Sequence, residues 1–422
     1  MGYDLTEVVS PKLVKVKQKF ASPSPIDILH TIKQELARPE IHTRVQTAQK
    51  IAVAVGSRGI ANIDIIVKEI VDKLKAMGAF PFIVPAMGSH GGATAEGQKK
   101  VLANLGVTES SMGVPIEADM DVLLLGQSPS GVPVYMSKSA YAADGIILVC
   151  RVKPHTSFRG TIESGIHKML AIGLGKEKAA NVIHSFGLER FDTMIPEIGK
   201  YVRENSRVLF AVTVLEDVRE NTVKIVAVEP GEFESIEKQL LAEAKDLIGK
   251  LYFNNIDVLV VREIGKNISG EGMDPNVTGR FSSHLRATEP SIQKIVVLDL
   301  TPQTGGNGSG IGMADIITKR LLDKLDLMQM YINAITARVL TPVKIPLIAE
   351  NDREAIGVAL KSCWGVQADH ERVVIIKNTL ELEEVFISVS LLEEASHKPQ
   401  VDIVGQPFDI SFDADGFLQL ML

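Results

Sequence analysis

Short uninterrupted apolar runs alternate along the chain with stretches in which apolar residues recur every three or four positions. The runs KIAVAVGS (50–57), FPFIVPA (80–86) and GIILVCRVK (145–153) are typical of strands buried on both faces. Between the first two, apolar residues at 63, 66, 67, 70, 71 and 74 predict a helix that Asn62 caps and Gly78 ends. This alternation of strands and helices predicts a parallel, doubly wound sheet.

The same pattern continues to the end of the chain and divides it in two. DVLLLG (121–126) and VPVYM (132–136) predict further strands, and Ser24-Pro25 predicts the start of a first helix. A long helix at 231–249 separates this series from a second α/β series that begins at DVLVVREIG (257–265). We therefore predict two α/β domains with parallel-rich, doubly wound sheets and a cleft between them. They comprise a catalytic and cofactor-binding domain (1–255) and a substrate-contacting domain (256–395), with 396–422 a candidate to return to the first.

Composition narrows the classes of function. The 422 residues carry 45 Lys and Arg against 52 Asp and Glu, a net charge of −7, and only 5% are aromatic, which argues against a nucleic-acid binder. Two cysteines, Cys150 and Cys363, cannot form a disulfide framework or a four-thiolate zinc site. The sequence has no apolar run of about 20 residues and no secretory signal pattern, so we expect a cytoplasmic protein with no membrane partner.

Residues that can bind a ligand or transfer a proton follow three of the predicted strands. Ser57 and Arg58 follow the first, Ser89 and His90 the second, and His155 the third. Ligands of open α/β sheets bind beyond the carboxyl ends of the strands, so we expect these side chains to face one crevice. Each has a structural alternative: Arg58 is equally compatible with an ordinary surface position, and Pro154 before His155 with a rigid turn.

Two histidines and an arginine together suit the conversion of a small acid. Imidazole both takes and gives protons near neutral pH, and two imidazoles on opposite sides of one carbon suit racemisation. Arginine presents a planar fork of donors to a carboxylate. The α-proton of a hydroxy acid is too weakly acidic for histidine alone. A cofactor that accepts a hydride removes this obstacle, because histidine then needs to take only the hydroxyl proton.

A third group of residues lies between Glu163 and His184. Lys168 falls in an apolar helical stretch, where lysine is uncommon without a partner or a function. His184 ends the following helix, a position that the helix dipole also favours. His167 is adjacent to Lys168 and therefore points to a different face.

The sequence resembles the nickel-dependent lactate racemase family over most of its length, most strongly from Lys50 to Phe186. Ser57-Arg58 is similar to the family's Thr-Arg, Gly88-Ser89-His90 to its Gly-Thr-His, and Lys168 and His184 to its lysine and histidine sixteen residues apart. The resemblance implies that His90 and His155 are the acid/base pair and that Arg58 and Ser57 bind a 2-hydroxy acid. It also implies a nickel-pincer pyridinium nucleotide bonded to Lys168, with His184 as the protein's nickel ligand, which suits soft and imidazole donors. Cofactor-biosynthesis proteins are then implied partners.

The sequence departs from the family in the second domain. Asp274 and Asn276 retain part of the family's loop and, with Ser89, are implied cofactor contacts. A Tyr-Gln pair expected next is replaced by Thr278-Gly279-Arg280. Arg280 or Lys266 is therefore a candidate contact for a second carboxylate or a phosphate of an acid larger than lactate.

Other interpretations remain open. The glycine-rich stretch 303–312 suggests either a phosphate cradle or, more simply, a flexible loop lining the interdomain cleft. A zinc hydrolase using His155, His167 and His184 is an alternative, although no H-E-x-x-H motif is present. A non-catalytic relative that binds a small acid or delivers the cofactor is another, but a binder has no need of paired acid/base histidines.

Overall fold

The computed structural model describes residues 11–57, 60–283, 289–367 and 370–420, and these form two compact units. One unit runs from Ala21 to Ile248. The other combines Phe20 and the described residues before it with Gly249 and the described residues after it. Both units are mixed α/β structures with sheets rich in parallel strands, as the periodicity predicts.

The strands follow one another along the described chain with these bounds: β1 (Leu13–Gln18), β2 (Lys50–Val55), β3 (Phe80–Pro85), β4 (Val122–Gln127), β5 (Pro133–Ser137), β6 (Gly145–Arg151), β7 (Val208–Glu216), β8 (Thr222–Val228), β9 (Asn255–Val261), β10 (Ser291–Val297), β11 (Ile316–Thr318), β12 (Leu347–Ala349), β13 (Val373–Ile376), β14 (Glu384–Ser388) and β15 (Val401–Phe408).

The helices are α1 (Ile28–Ala37), α2 (Pro39–His42), α3 (Ile63–Ala76), α4 (Ala95–Asn104), α5 (Glu109–Met112), α6 (Lys138–Tyr141), α7 (Ile166–Lys168), α8 (Lys176–Ser185), α9 (Phe191–Glu204), α10 (Phe233–Leu247), α11 (Pro275–Thr278), α12 (Lys319–Leu322), α13 (Leu327–Ala337), α14 (Asp352–Lys361) and α15 (Leu392–Ser396). A π-helical segment, Met169–Gly173, follows α7 directly.

The unit from Ala21 to Ile248 is built on a sheet with the strand order β3-β2-β6-β7-β8. The first four strands are parallel and β8 is antiparallel to β7. All residues of β2 after Lys50 are buried, as expected for a strand covered on both faces. Helix α3 buries the apolar positions that its periodicity marks. The predicted strands at 121–126 and 132–136 exist, but β4 and β5 pair antiparallel as a separate ribbon.

The other unit contains the sheet β12-β11-β10-β9-β13-β14-β1-β15. Strands β12, β11, β10, β9 and β13 are parallel, whereas β14, β1 and β15 pair antiparallel. The strands carry the apolar residues of its core, with side chains such as Val260 and Ile375 fully buried.

The division of the chain differs from the predicted one at both ends. Strand β1 pairs with β14 and β15, so the described residues up to Phe20 belong with the unit after Gly249 and not with the first domain. Strand β15 lies in that same sheet, so the segment 396–422 does not return to the unit from Ala21 to Ile248 in the part that the structure describes. The short, lysine-rich sequence of β1 acquires its partners only from residues more than 350 positions away, which local pattern cannot reveal.

The N-terminal caps of two helices, α1 and α3, differ from the prediction. Asp27, not Ser24, caps the first helix by accepting a hydrogen bond from the His30 N–H. Asn62 occupies the cap position of α3 but its side chain makes no capping hydrogen bond.

Among the described residues, no helix combines the length and apolar character needed to cross a membrane.

The pairing of β1 predicts where an N-terminal mutation acts. Leu13 is fully buried in the core of the unit that contains β14 and β15. Leu13→Ala should lower the free energy of unfolding of that unit by about 2–5 kcal/mol, because it leaves a cavity. Amide hydrogen exchange should accelerate in β14 and β15 and stay unchanged in β2 and β3. Leu29→Ala, at a half-exposed position, is the control, and faster exchange in β2 and β3 would contradict the assignment.

Candidate functional site

The predicted residues of the first domain collect at the carboxyl edge of the sheet β3-β2-β6. Strand β2 lies between β3 and β6 and is parallel to both. Ser57, His90 and His155, which follow these strands, therefore emerge at one edge, as predicted. Arg58 lies outside the described residues.

Glu216, at the same edge, was not predicted. It ends β7, is buried, and forms an ion pair with Arg151 of β6. Its Oε1 accepts a hydrogen bond from the Ala61 N–H at 2.7 Å, which fixes the chain between β2 and α3. Burial raises the pKa of Glu216, although Arg151 opposes the shift.

Ser57 and His90 contact each other directly. The Ser57 hydroxyl forms a hydrogen bond with Nδ1 of the His90 ring, and both side chains are half-buried. The buried Gln98 amide donates to the backbone oxygens of Gly88 at 2.9 Å and His90 at 3.4 Å. The backbone oxygen of Ser89 accepts from Ala93 at 3.1 Å. The loop that carries His90 is thus held on both sides.

His155 meets the predicted lysine. Nζ of Lys168 lies 2.6 Å from Nε2 of His155, although the two residues come from a loop and a helix. On the other side of the ring, the Ser157 backbone N–H donates to Nδ1 at 3.0 Å. The Phe158 ring lies against the imidazole, with centroids 4.5 Å apart. The ring is therefore fixed by contacts on both nitrogens.

The surroundings of His155 act on its protonation. Burial, followed by neighbouring positive charges that include Lys168, holds the pKa of His155 well below its usual range, so the ring is neutral near pH 7. Nδ1 accepts the Ser157 N–H and Nε2 faces Nζ of Lys168 at 2.6 Å, so both ring nitrogens are engaged.

A buried carboxylate supports the backbone at His155. Oε2 of Glu163, which is fully buried, accepts the His155 N–H at 2.7 Å. Lys245 of α10 forms an ion pair with the other oxygen at 2.9 Å. The Arg159 guanidinium donates to the His155 backbone oxygen at 2.6 Å and lies 3.5 Å from the same carboxylate. The loop is held from within by charge-assisted hydrogen bonds.

A second buried carboxylate supports the helix that carries Lys168. Glu237 of α10 accepts the His167 N–H at 3.2 Å and contacts Nδ1 of the same ring at 2.5 Å. Both side chains are buried. A Cβ at Gly165, whose φ is +150°, would approach Glu237 Oε1 to 2.3 Å, so glycine is required there. His167 thus belongs to this anchor and points away from Lys168.

The π-helical segment Met169–Gly173 joins the parts of the site. The Gly88 N–H of the His90 loop donates to the Gly173 carbonyl at 3.2 Å. A Cβ at Gly56, before Ser57, would lie 3.3 Å from the methyl group of Met169. The segment that follows Lys168 therefore packs on the loops after β2 and β3. Such π-helical turns are frequent at functional sites.

Lys176, which sequence reasoning did not single out, is buried beside this segment. Its Nζ donates to the Pro85 carbonyl at 2.7 Å and to Oε1 of Gln98 at 3.0 Å. Burial lowers its pKa to about 8. The lysine thereby ties the start of α8 to the end of β3 and to the amide that holds His90.

His184 lies near the His155–Lys168 contact. Its ring meets Phe191 edge to face at 5.0 Å, and Phe191 in turn contacts Phe158, which lies on His155. The charge of His184 is among those that lower the pKa of His155. In the part of the chain that the structure describes, no three His, Cys, Asp or Glu side chains form a group that could hold a metal ion. The three histidines of the hydrolase interpretation do not form one, since His167 is bound to Glu237.

The candidate residues of the second domain lie in the other unit. Asp274 caps α11 and its Oδ1 accepts from the backbone and side-chain nitrogens of Asn276. Nζ of Lys266 donates to the Gly270 carbonyl at 2.6 Å. Arg280 is bound by Asp315 at 2.6 Å and donates to backbone carbonyls. These contacts give each of the four a structural role within its own unit.

The second half of the glycine-rich stretch 303–312 is tightly packed, whereas a Cβ at Gly305 would meet nothing within 4 Å. A Cβ at Gly310 would lie 1.9 Å from the Glu271 carbonyl, and one at Gly312 the same distance from the Thr341 carbonyl. The Thr304 hydroxyl also accepts the Lys266 N–H at 3.1 Å. The glycines therefore permit close backbone packing within this unit.

A comparison with family models agrees with the resemblance in the sequence. Residues 5–192 match the family model described as the lactate racemase N-terminal domain. The structure of the lactate racemase apoprotein from Thermoanaerobacterium thermosaccharolyticum is similar at 13% sequence identity and a TM-score of 0.49, covering 88% of this chain and 99% of that one. No curated protein gives a significant match to the sequence.

The buried Lys176 predicts a pH dependence of stability. Its folded pKa of about 8 is below the ordinary 10.5, so the unfolded state binds more protons between these values. The free energy of unfolding of the wild type, relative to Lys176→Met, should therefore rise by about 3 kcal/mol from pH 8 to above pH 10.5. This gain in the free energy of unfolding is lost again as the pH falls from 10.5 through 8. Urea unfolding at several pH values measures it, with the exposed Lys178→Met as control, and a flat difference would contradict the burial of a charged Lys176.

Proposed function

We propose that the chain, whose residues 5–192 match the lactate racemase N-terminal domain, is a lactate racemase-like enzyme that interconverts the stereoisomers of a small 2-hydroxy acid. The observation that carries the proposal is the contact between Nζ of Lys168 and Nε2 of His155 at 2.6 Å. It sets a lysine amine against one of two histidines at a single sheet edge, which is more than a protein that only binds an acid requires.

The residues present fit the nickel-pincer nucleotide that the family resemblance implies. An uncharged Lys168 amine is the form that can bond covalently to a cofactor. The half-buried His184 offers one imidazole donor for nickel, and the soft ligands would come from the nucleotide itself. When bound, the cofactor supplies reversible acceptance of the hydride from the substrate α-carbon. Proteins that synthesise it are therefore proposed partners.

The chain's own residues then manage the substrate hydroxyl proton. His155 and His90, the latter oriented by Ser57, are the proposed acid/base pair. His155 takes the hydroxyl proton at Nε2 in the tautomer that carries the ring proton on Nδ1. Loss of the hydroxyl proton and the α-hydride gives a planar keto acid, and their return to either face gives both stereoisomers.

The remaining residues of the proposal would contact the substrate or the cofactor. Arg58 would bind the carboxylate common to all 2-hydroxy acids. Ser89, Asp274 and Asn276 are proposed cofactor contacts, and Lys266 and Arg280 are proposed contacts for a larger acid. To do so, Arg280 would leave Asp315 and Lys266 would leave the Gly270 carbonyl.

Lys168→Arg tests the proposal at its covalent step. Protein produced in a host that makes the cofactor should carry nickel near one per chain and a mass adduct on Lys168. The variant should lose the adduct and all racemisation of stereochemically pure 2-hydroxy acids, because a guanidinium is charged and cannot replace the amine. A wild type that lacks the adduct and stays inactive after cofactor is added would contradict the proposal.

A second variant separates loading of the cofactor from turnover. His90→Gln should keep the adduct and nickel but lower kcat by about 10²–10⁴-fold, the usual contribution of one acid/base group. Substrate deuterated at the α-carbon should retain its label in the product, because the hydride returns to the same carbon. The exposed His30→Gln is the matched control and should behave as wild type.

A further inference from the structure

The segment 327–348, which contains none of the residues of the proposed reaction, exposes many large apolar side chains. Of the 18 large apolar side chains that are exposed among the described residues, nine fall between positions 327 and 348. Met328, Ile332 and Ile335 of α13 are 67, 58 and 67% exposed, and Leu347 and Ile348 of β12 are 51 and 44% exposed. We call the exposed side chains of 327–348 the α13–β12 face. Monomeric proteins rarely expose so many large apolar residues in so short a segment.

The face also lacks charge. Helix α13, LMQMYINAITA, contains no charged residue, and from Leu327 to Ala349 only Arg338 and Lys344 are charged. A helix that faces water normally carries a charged or strongly polar side. Only Met330 and Ala334 of α13 are buried against its own unit. The composition of the other residues is that of an interface core, from which charged residues are depleted.

The edge of the sheet adds backbone groups to the face. Strand β12 is the last strand of its sheet, and within the described chain it pairs only with β11. Its other edge therefore offers N–H and C=O groups to a further strand. Natural proteins protect such edges with charges or proline; β12 itself contains neither, and Pro346 and Glu350 flank it.

We propose that the α13–β12 face is the contact between two copies of this chain. At roughly 170 Å² for each fully exposed large apolar residue, the nine side chains expose on the order of 800 Å², so a contact that covers all of them reaches the area that each partner contributes to a stable complex. An isologous contact sets the same residues against each other, and this face can do so with few like charges opposed. Antiparallel pairing of β12 with its copy would satisfy both free edges. A membrane surface is a poorer partner, because an interfacial helix carries lysine and arginine on its polar side and α13 has none.

The test uses the full chain and compares two double variants. The wild type should sediment as a dimer at micromolar concentration. Ile332→Asp with Ile335→Asp should be monomeric at the same concentration, with a folded circular-dichroism spectrum, a Tm that no longer depends on protein concentration and a Kd raised at least 100-fold. Ile65→Asp with Leu124→Asp, at positions 41 and 57% exposed in the other unit, is the control and should remain dimeric. Amide exchange at Leu347–Ala349 should slow as the protein concentration rises.

Three results would overturn the proposal. The first is a wild type that stays monomeric at 100-fold higher concentration. The second is a dimer that persists in the Ile332→Asp, Ile335→Asp variant. The third is a monomer that binds vesicles of anionic lipid through this face. Because the test measures association alone, it does not depend on the proposed racemase activity.

Discussion

Two buried carboxylates make the contact between Lys168 and His155 possible. Glu163 holds the backbone N–H of His155, and Glu237 holds the backbone and ring of His167, the residue before Lys168. Helix α10 contributes to both, because it supplies Glu237 and the Lys245 that pairs with Glu163. Removing one partner of a buried pair is costly, since the other charge stays buried. The two halves of the contact are thus fixed by an element that does not itself form the site.

The loop that carries His90 is also held in place by residues from other elements. The π-helical segment after Lys168 receives a hydrogen bond from the His90 loop, and Lys176 with Gln98 fixes that loop from beneath. The links made by the π-helical segment and by Lys176 join elements that are distant in sequence but adjacent at the edge of the sheet. Precise placement of this kind is what acid/base chemistry requires of its groups.

Sequence patterns were sufficient for the features that depend on local order. The apolar runs of β2, β3 and β6 and the stripe of α3 identify the sheet and its covering helix, and the rule of carboxyl ends brings Ser57, His90 and His155 together. The roles of Glu163, Glu237 and Lys176 were not foreseen. Glu237 meets its partner 70 positions away and Lys176 meets Pro85 91 positions away, and no periodicity records such contacts. Strand β1 was missed for the same reason.

The central claim is that Lys168 and His155 act as one unit, with the lysine amine held against Nε2 of the ring. The most direct measurement is the rate at which an amine-specific acylating reagent labels Lys168 in cofactor-free protein, followed by mass spectrometry from pH 6.5 to pH 10. We expect the dependence of the labelling rate on pH to differ between the wild type and His155→Phe, whose ring has no nitrogen to contact the amine. Identical profiles in the two proteins would contradict the account.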